Sequence, residues 1–132
     1  DDLGPMGLRF LFLTWDGICA VDGLEARVRQ IRPYELITGE TDRIYSEFLK
    51  TICEKIEKGK SIIPVLKTAC KEFDNIKIKK LPKPRIGIVG EIYIRSQKFS
   101  NGFLEKRLES MGCEVVLPSI AEWFFYLNFT RI

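Results

Sequence analysis

The chain contains no histidine among its 132 residues. This absence removes the commonest general base and the commonest metal ligand in proteins. Cysteine is sparse and scattered, and no C-x-x-C pair occurs, so we expect no zinc or iron–sulfur site held by this chain alone. Each cysteine has apolar neighbours, which predicts buried, reduced thiols and a cytoplasmic location for all four: Cys19, Cys53, Cys70 and Cys113.

The chain also lacks a long apolar run and a dominant charge. Residues 8–21 are the most apolar, but Arg9 and Asp16 interrupt them, and the run is too short to span a bilayer. The chain opens on two aspartates, which argues against a secretory signal. The net charge is only +3, and the densest basic stretch, 77–85, overlaps two prolines and is typical of a solvated linker. We therefore expect neither a nucleic-acid nor a membrane partner.

Length and patterning predict one domain of the α/β class, with a small parallel sheet. Residues 8–74 form a mainly helical section, 75–84 a linker, and 85–132 a Rossmann- or flavodoxin-like βαβ unit followed by a C-terminal helix. The first methionine is Met6, and the chain stops inside an apolar helical pattern. These ends predict a piece of a larger protein.

Apolar spacing predicts three helices in the first section, at residues 17–31, 42–58 and 62–73, with Thr41 as the N-cap of the second. Residues 8–16 fit either a strand or a helix, because Asp16 and Gly17 could break the pattern there. The second section predicts a strand at 85–89, a helix at 101–111, a strand at 115–117 and a last helix. The S-x-x-E spacing of Ser119 and Glu122 is typical of a capping box at the start of that last helix.

A twelve-residue polar loop, Gly90–Asn101, joins the first strand to its helix, where two to six residues are usual. Ligands of α/β folds bind at the carboxyl ends of the strands, where this loop lies. Arg95 offers a bidentate fork to a phosphate or carboxylate, and the following helix N-terminus offers backbone donors. The sequence therefore predicts a substrate-binding site that consists of Gly90, Glu91, Tyr93, Arg95, Ser96 and Asn101. In the alternative interpretation, residues 92–94 form a pinned edge segment and Glu91 caps a local backbone group.

Nucleotide motifs are incomplete in this loop. The stretch "GIVGE" lacks G-x-G-x-x-G, and no G-K-[ST] follows a strand, so the motifs favour neither a dinucleotide nor ATP. A second polar cluster precedes residue 43, and its carboxylates could do acid–base work if a cleft held them together. Alternatively, Arg32 and Glu35 pair with each other in a plain loop. The cluster consists of Arg32, Tyr34, Glu35, Glu40 and Asp42. No catalytic residue is predicted.

Three stretches over residues 10–126 carry a resemblance to a family: "DGICAVDGLEARVRQIRPYELITGETDRIY", "RIGIVGEIY" and "LEKRLESMGCEVVLPSIAEW". They resemble the CoA-substrate-specific acyl-CoA dehydratase activase-related proteins, in which an activator-like ATPase is joined to a segment like 2-hydroxyacyl-CoA dehydratase subunits. The resemblance implies anaerobic metabolism, with a [4Fe–4S] cluster and ATP in the intact protein but no cofactor in this chain. None of the four cysteines matches a cluster ligand.

The resemblance implies a lobe that is not catalytic alone and that contributes to a CoA-ester or iron–sulfur site of the intact protein. Its partners would be the remainder of the parent chain, a CoA ester, and a dehydratase or electron-transfer protein. Two other functions remain open from the residues. One is a module that binds a small anion such as phosphate or a nucleotide. The other is a protein–protein docking domain that uses the aromatic stretch Trp123–Phe129.

Overall fold

The computed structural model describes residues 7–79 and 81–129. This part of the chain is mostly helical and carries a small parallel sheet, so the fold is of the mixed α/β class. The elements in chain order are α1 (Gly7–Ile31), a 3₁₀ turn (Arg32–Tyr34), α2 (Glu40–Glu57), α3 (Ile63–Asn75), β1 (Arg85–Gly87), α4 (Ile92–Ser96), α5 (Leu104–Ser110), β2 (Glu114–Val116) and α6 (Ile120–Phe129).

The helix α1 begins at Gly7, so the ambiguous residues 8–16 are helical and the predicted start at residue 17 is wrong. Asp16 and Gly17 do not interrupt it. A Cβ atom at Gly17 would lie 3.0 Å from Cδ1 of Ile56 in α2. The glycine therefore serves close packing between the two helices, which offsets its low helix propensity.

Helices α2 and α3 lie within two residues of their predicted bounds, but the predicted N-cap at Thr41 is wrong. The carboxylate of Glu35 accepts from the backbone N–H of Gly39 at 2.6 Å and from that of Thr41 at 2.8 Å. The hydroxyl of Thr41 is buried and has no hydrogen-bond partner among the described residues. A carboxylate from the preceding turn thus satisfies the first N–H groups of α2, where the helix dipole favours a negative charge.

The hydrophobic core lies among α1, α2 and α3. Its members recur at helical spacing, as the apolar stripes predict. Phe73 and Ile52 are the largest apolar side chains that are almost completely buried, at 1% exposure each. The buried cluster consists of Ala20, Leu24, Val28, Ile31, Ile44, Ile52, Ile62, Val65, Ala69, Phe73 and Ile76.

The sheet contains two parallel strands, β1 and β2, with Arg85 paired with Glu114 and Gly87 with Val116. Both strands are shorter than or offset from their predicted bounds of 85–89 and 115–117. Helix α5, between them, is shorter than its predicted range of 101–111. The parallel order with an intervening helix confirms a βαβ unit, which places the carboxyl ends of both strands at one edge.

Backbone hydrogen bonds to the turn after α1 hold the segment that joins the helical section to the βαβ unit. The backbone N–H of Leu36 donates to the carbonyl of Lys77 at 2.9 Å, and that of Lys79 donates to the carbonyl of Tyr34 at 2.8 Å. An antiparallel bridge between Glu35 and Ile78 results. The predicted linker is thus paired with the turn that follows α1.

Helix α6 packs against α1. The capping interaction predicted for Ser119 is confirmed, because its hydroxyl accepts from the N–H of Glu122 at 3.0 Å. Asp22 of α1 accepts from the N–H of Ala121 at 3.1 Å. Further along, the rings of Trp15 and Phe124 meet edge to face with centroids 5.4 Å apart. Within residues 7–79 and 81–129, no helix combines the length and apolarity needed to cross a membrane.

The prediction that all four cysteines are buried is wrong for two of them. Cys113 is buried and Cys19 is half-buried, whereas Cys53 and Cys70 are exposed. Each exposed cysteine directly follows a core residue, Ile52 or Ala69. Successive helical residues point about 100° apart, so the neighbour of a core position can face solvent.

Candidate functional site

A cavity of about 380 Å³ lies at the carboxyl edge of the sheet. Leu117, which directly follows β2, lines one side. Several residues of the 95–106 segment, which follows β1 in the chain, also line it. Helices α1 and α2 close the opposite side with Glu25, Val28, Asp42 and Tyr45. The cavity therefore occupies the position that the α/β rule predicts for a ligand.

The structure divides the six predicted site residues into two groups. Arg95, Ser96 and Asn101 line the cavity. Gly90, Glu91 and Tyr93 are not among its lining residues. Residues 92–96, predicted as loop, instead form the short helix α4, which starts away from the cavity and ends beside it.

Glu91 has a structural role at the start of α4. Its Oε2 accepts from the backbone N–H of Ile94 at 2.9 Å. The hydrogen bonds from the N–H groups of Ile94 and Tyr93 lower the pKa of the Glu91 carboxyl below its usual range. The part of the alternative interpretation in which Glu91 caps a local backbone group is therefore confirmed, whereas its edge segment at residues 92–94 is wrong, because these residues are helical. Tyr93 is exposed.

Asn101 holds the segment between α4 and α5 in place. Its Nδ2 donates to the carbonyls of Ile94 at 3.1 Å and Arg95 at 3.0 Å. Its Oδ1 accepts from the N–H of Leu104 at 3.2 Å. One amide side chain thus joins the end of α4 to the beginning of α5. The backbone donors expected for an anion at Asn101 and Gly102 are already bonded, to the carbonyls of Gln97 and Phe99 at 3.1 Å each.

The second predicted cluster does not pair as expected, because Arg32 bonds to three other carboxylates and not to Glu35. Its guanidinium donates to Asp42 at 2.8 Å, to Glu109 through Nε at 2.7 Å and Nη2 at 2.9 Å, and also to Glu105. Arg32 lies in the 3₁₀ turn after α1, beside α5, whereas Glu35 is bonded to the start of α2. The cluster therefore joins α1, α2 and α5.

Tyr34, also in the predicted cluster, donates its hydroxyl hydrogen to Glu114 at 2.7 Å.

Further ion pairs extend this cluster along the cavity wall. Arg29 lies 3.5 Å from a carboxylate oxygen of both Glu25 and Glu105. Lys106 lies 2.9 Å from Asp42, and Lys98 lies 3.4 Å from Glu25. In this ionic network, four basic side chains meet four carboxylates, and their charges balance: Arg29, Arg32, Lys98 and Lys106 against Glu25, Asp42, Glu105 and Glu109.

Burial and pairing compete in setting the pKa values of the network. Burial opposes the charge of Arg32, but hydrogen bonds to Glu109, Asp42 and Glu105 outweigh it and raise the Arg32 pKa. Burial would raise the pKa of Asp42, but bonds from Lys106 and Arg32 hold it below its usual range. For Glu109, burial exceeds the effect of Arg32 and raises the pKa. Asp42 is therefore ionised at neutral pH and serves as a fixed partner for the two cations.

Tyr45 of α2 also lies on the cavity wall and bonds to the network. Its hydroxyl donates to Glu25 at 3.2 Å. Burial, followed by the charge of Glu25, raises the pKa of the Tyr45 phenol above its usual range. The group is thus a neutral hydrogen-bond donor at physiological pH, and its partner is already in place.

Arg95 differs from the four paired cations. It lines the cavity, and its Nε is buried without a hydrogen-bond partner among the described residues. Within the same part of the chain, its guanidinium forms no ion pair. The charge of Arg95 acts on nearby Glu91 and helps to lower the pKa of that carboxyl, but among the described residues no carboxylate bonds to the guanidinium, which leaves its Nε open to a ligand. The chemistry this favours is the binding of an anion.

The described residues do not fit an iron–sulfur cluster. Across residues 7–79 and 81–129, no three or more histidine, cysteine, aspartate or glutamate side chains are grouped so that they could hold a metal ion. Three of the cysteines lie on α1, α2 and α3, and Cys113 directly precedes β2.

Only some of the residues at this site could be predicted from the sequence. The prediction found Arg95, Ser96 and Asn101 from the position of their loop, and Arg32 and Asp42 from local charge density. It missed Glu105 and Glu109, although their i,i+4 spacing places them on one face of α5. It also missed Glu25, Arg29, Tyr45, Lys98 and Lys106. Contacts that join residues more than seventy positions apart, such as Arg32 with Glu109, leave no local signal.

No protein family, curated protein or solved structure matches the chain. Two features of the cavity therefore carry the functional conclusion. One is its position beside Leu117, which directly follows β2, and beside residues of the 95–106 segment, which follows β1 in the chain. The other is the guanidinium of Arg95, whose buried Nε has no hydrogen-bond partner among the described residues.

Proposed function

We propose that the chain is a non-catalytic, ligand-binding lobe of a CoA-substrate-specific activase-related or 2-hydroxyacyl-CoA dehydratase-like protein. The lobe has a Rossmann-like arrangement and receives an anionic part of a CoA ester in its cavity. The [4Fe–4S] cluster and ATP of that cytoplasmic system belong to other segments of the intact protein. The partners of the lobe are the remainder of its parent chain and the dehydratase or electron-transfer protein.

The observation that supports this proposal most strongly is the unpartnered Nε of Arg95. A buried donor without an acceptor costs about 1–3 kcal/mol, and more for a charged group, so such donors are rare. Two phosphate oxygens of CoA would accept hydrogen bonds from Nε and from a terminal nitrogen of the guanidinium, in the bidentate geometry that arginine favours. Ser96, the next residue, adds a hydroxyl to the same wall.

The dimensions of the cavity support binding of a part of CoA. Ligand pockets usually measure about 300–1,000 Å³, and this cavity, at about 380 Å³, lies at the lower end. It can hold one phosphate and the adjoining groups of a molecule as long as CoA. Additional ligand surface would then be covered by other segments of the parent protein.

The charges on the cavity wall favour one orientation of the bound ligand. Glu25, Asp42 and Glu105 line the cavity and repel a second anionic group, although each is paired with a cation. Apolar surface is supplied by Val28, Phe103 and Leu117. We infer that a phosphate contacts Arg95 and that an uncharged part of the ligand contacts these apolar side chains.

Isothermal titration of the full chain with CoA, acetyl-CoA and inorganic phosphate tests the proposal. Wild type is compared with Arg95→Ala and with Arg43→Ala, a control that removes one arginine whose exposed pair with Glu47 lies outside the cavity. Charge-assisted hydrogen bonds contribute about 1.5–3 kcal/mol. We therefore expect Arg95→Ala to weaken CoA binding by about tenfold to a hundredfold, and Arg43→Ala to leave it unchanged.

Each other outcome has a defined meaning. Phosphate that binds as tightly as CoA favours the alternative function, a module for small anions. Equal losses in Arg95→Ala and Arg43→Ala indicate unspecific attraction to a basic chain and contradict the proposed site. If wild type binds none of the three compounds, the proposal is wrong.

A further inference from the structure

One end of the helical section carries an uncovered apolar surface made by α1 and α6. We call Leu8, Leu11, Phe12, Phe125 and Phe129 the α1/α6 surface. Leu8 is 73% exposed, Phe12 66%, Phe125 69% and Phe129 80%. Single exposed apolar residues are common, but large contiguous apolar patches on soluble domains mark interaction sites.

The residues of α1 in this surface share one face of the helix. Leu8, Leu11, Phe12 and Trp15 follow the i, i+3, i+4, i+7 spacing of an apolar stripe. The core of the domain lies on another face, because Ala20, Leu24 and Val28 continue a different row. The stripe therefore has the pattern of a packing face, and its members Leu8, Leu11 and Phe12 are left exposed by the part of the chain that the structure describes.

Helix α6 extends this face. Ala121 bonds to Asp22, and Phe124 contacts Trp15, so α6 runs antiparallel to α1. Beyond the Trp15–Phe124 contact, the remaining turns of α6 continue toward the beginning of α1. Phe125 and Phe129, at i,i+4 spacing, thus lie at the same end of the molecule as Leu8 and Phe12.

Charge favours a second copy of this chain over a lipid surface as the occupant. Residues 8–15 and 123–129 contain one charged side chain, Arg9, and its Nη2 donates to the carbonyl of Gly59 at 3.0 Å. Helices that bind membrane surfaces carry lysine and arginine along their polar face, which these two segments lack. Apart from Arg9, which is turned toward Gly59, these segments carry no charge, so two such surfaces meet with little like-charge repulsion.

The available area also suits a dimer. At about 150–250 Å² for each aromatic side chain, the exposed parts of the α1/α6 surface, with Trp15 and Phe124, amount to roughly 800 Å² per copy. An interface of standard size covers about 800 Å² on each partner. The surface can therefore supply the apolar centre of such an interface without a contribution from the βαβ unit.

We propose that two copies of the chain associate through their α1/α6 surfaces around a two-fold axis. The four helices, α1 and α6 from each copy, then form an isologous apolar contact. This interface is separate from the cavity and does not depend on the proposed function. Each residue occurs twice in it, so one substitution removes two contacts.

Sedimentation equilibrium of the full chain tests this dimer. We compare wild type with Phe12→Ser and Phe125→Ser, and with the control Phe99→Ser, which removes an equally large side chain that is 82% exposed outside the α1/α6 surface. Central aromatic residues of interfaces contribute at least about 2 kcal/mol. We therefore expect each of the first two substitutions to weaken the dimer by about 30-fold or more, and Phe99→Ser to leave it unchanged. Circular dichroism verifies that the helices persist.

Three results would overturn this inference. They are a wild-type chain that stays monomeric, a dimer that weakens equally in Phe99→Ser, and a monomer that binds phosphatidylcholine vesicles through Phe12 and Phe125. CoA titration of the same variants keeps the two proposals apart. Loss of the dimer with unchanged CoA affinity is expected, because the two sites share no residue.

Discussion

Replacement of Arg32 by methionine removes the centre of the ionic network and retains a side chain of similar length. Arg32 is 11% exposed, and its partners Glu105 and Glu109 are 14% and 9% exposed. Without Arg32, the two carboxylates remain buried beside each other. Arg29, at 3.5 Å from Glu105, compensates only one of them.

The expected loss of stability follows from this geometry. Removal of one partner of a buried ion pair typically costs about 3–5 kcal/mol, because the remaining charge is desolvated and unpaired. Arg43→Met is the matched control. Its partner Glu47 lies at i,i+4 on α2, and both side chains are about 60% exposed. Water screens such a pair, so its loss costs about 0.5 kcal/mol or less.

Urea denaturation, followed by tryptophan fluorescence and circular dichroism, measures the free energies of unfolding. Adding Glu109→Gln to Arg32→Met removes one stranded carboxylate and is expected to restore about 1–2 kcal/mol. The cost of Arg32→Met is also expected to shrink below neutral pH, where the stranded carboxylates take up protons. A cost no larger than that of Arg43→Met refutes the idea that Arg32 holds α1, α2 and α5 together.

Three further predictions concern single residues. Lys106 and Arg32 hold the pKa of Asp42 low in the folded state. The contribution of Asp42 to stability is therefore present above its pKa in the unfolded chain and is lost as the pH falls through its pKa in the folded chain. Urea midpoints across this acidic range are expected to vary less with pH in Asp42→Asn than in wild type. Gly90 has φ of +139°, a conformation that strains other residues, so Gly90→Ala is expected to lower the free energy of unfolding by about 1–3 kcal/mol in the same urea assay. Asn101→Ala removes the three bonds that join α4 to α5 and is expected to weaken CoA binding in calorimetry while the core remains folded.

The sequence predicted the helical section well where apolar spacing was regular. Helices α2 and α3 and the core residues Ile52 and Phe73 follow from that periodicity. The sequence did not predict the start of α1, because Gly17 is typical of a helix breaker. Only the structure shows that Ile56 of α2 packs against this glycine. Long-range packing decided that element.

The candidate site, like the fold, could be predicted from the sequence only in part. The position of Arg95 at the carboxyl edge follows from chain order, since parallel strands end at one edge. The conclusion that Arg95 is the unpaired cation does not follow, because it requires the pairing of four other basic residues across distant segments. Local patterns identify faces and edges, whereas the charge of the cavity depends on tertiary contacts.

The most direct test of the account is the Nε–Hε signal of Arg95 in ¹H–¹⁵N correlation spectra during titration with CoA. The signal is assigned by its absence in Arg95→Lys. We predict that it shifts with increasing CoA and reaches a plateau, while the corresponding signal of Arg43 does not move. If CoA leaves the Arg95 signal unchanged, or moves both signals alike, the cavity is not a specific CoA site and the central claim is contradicted.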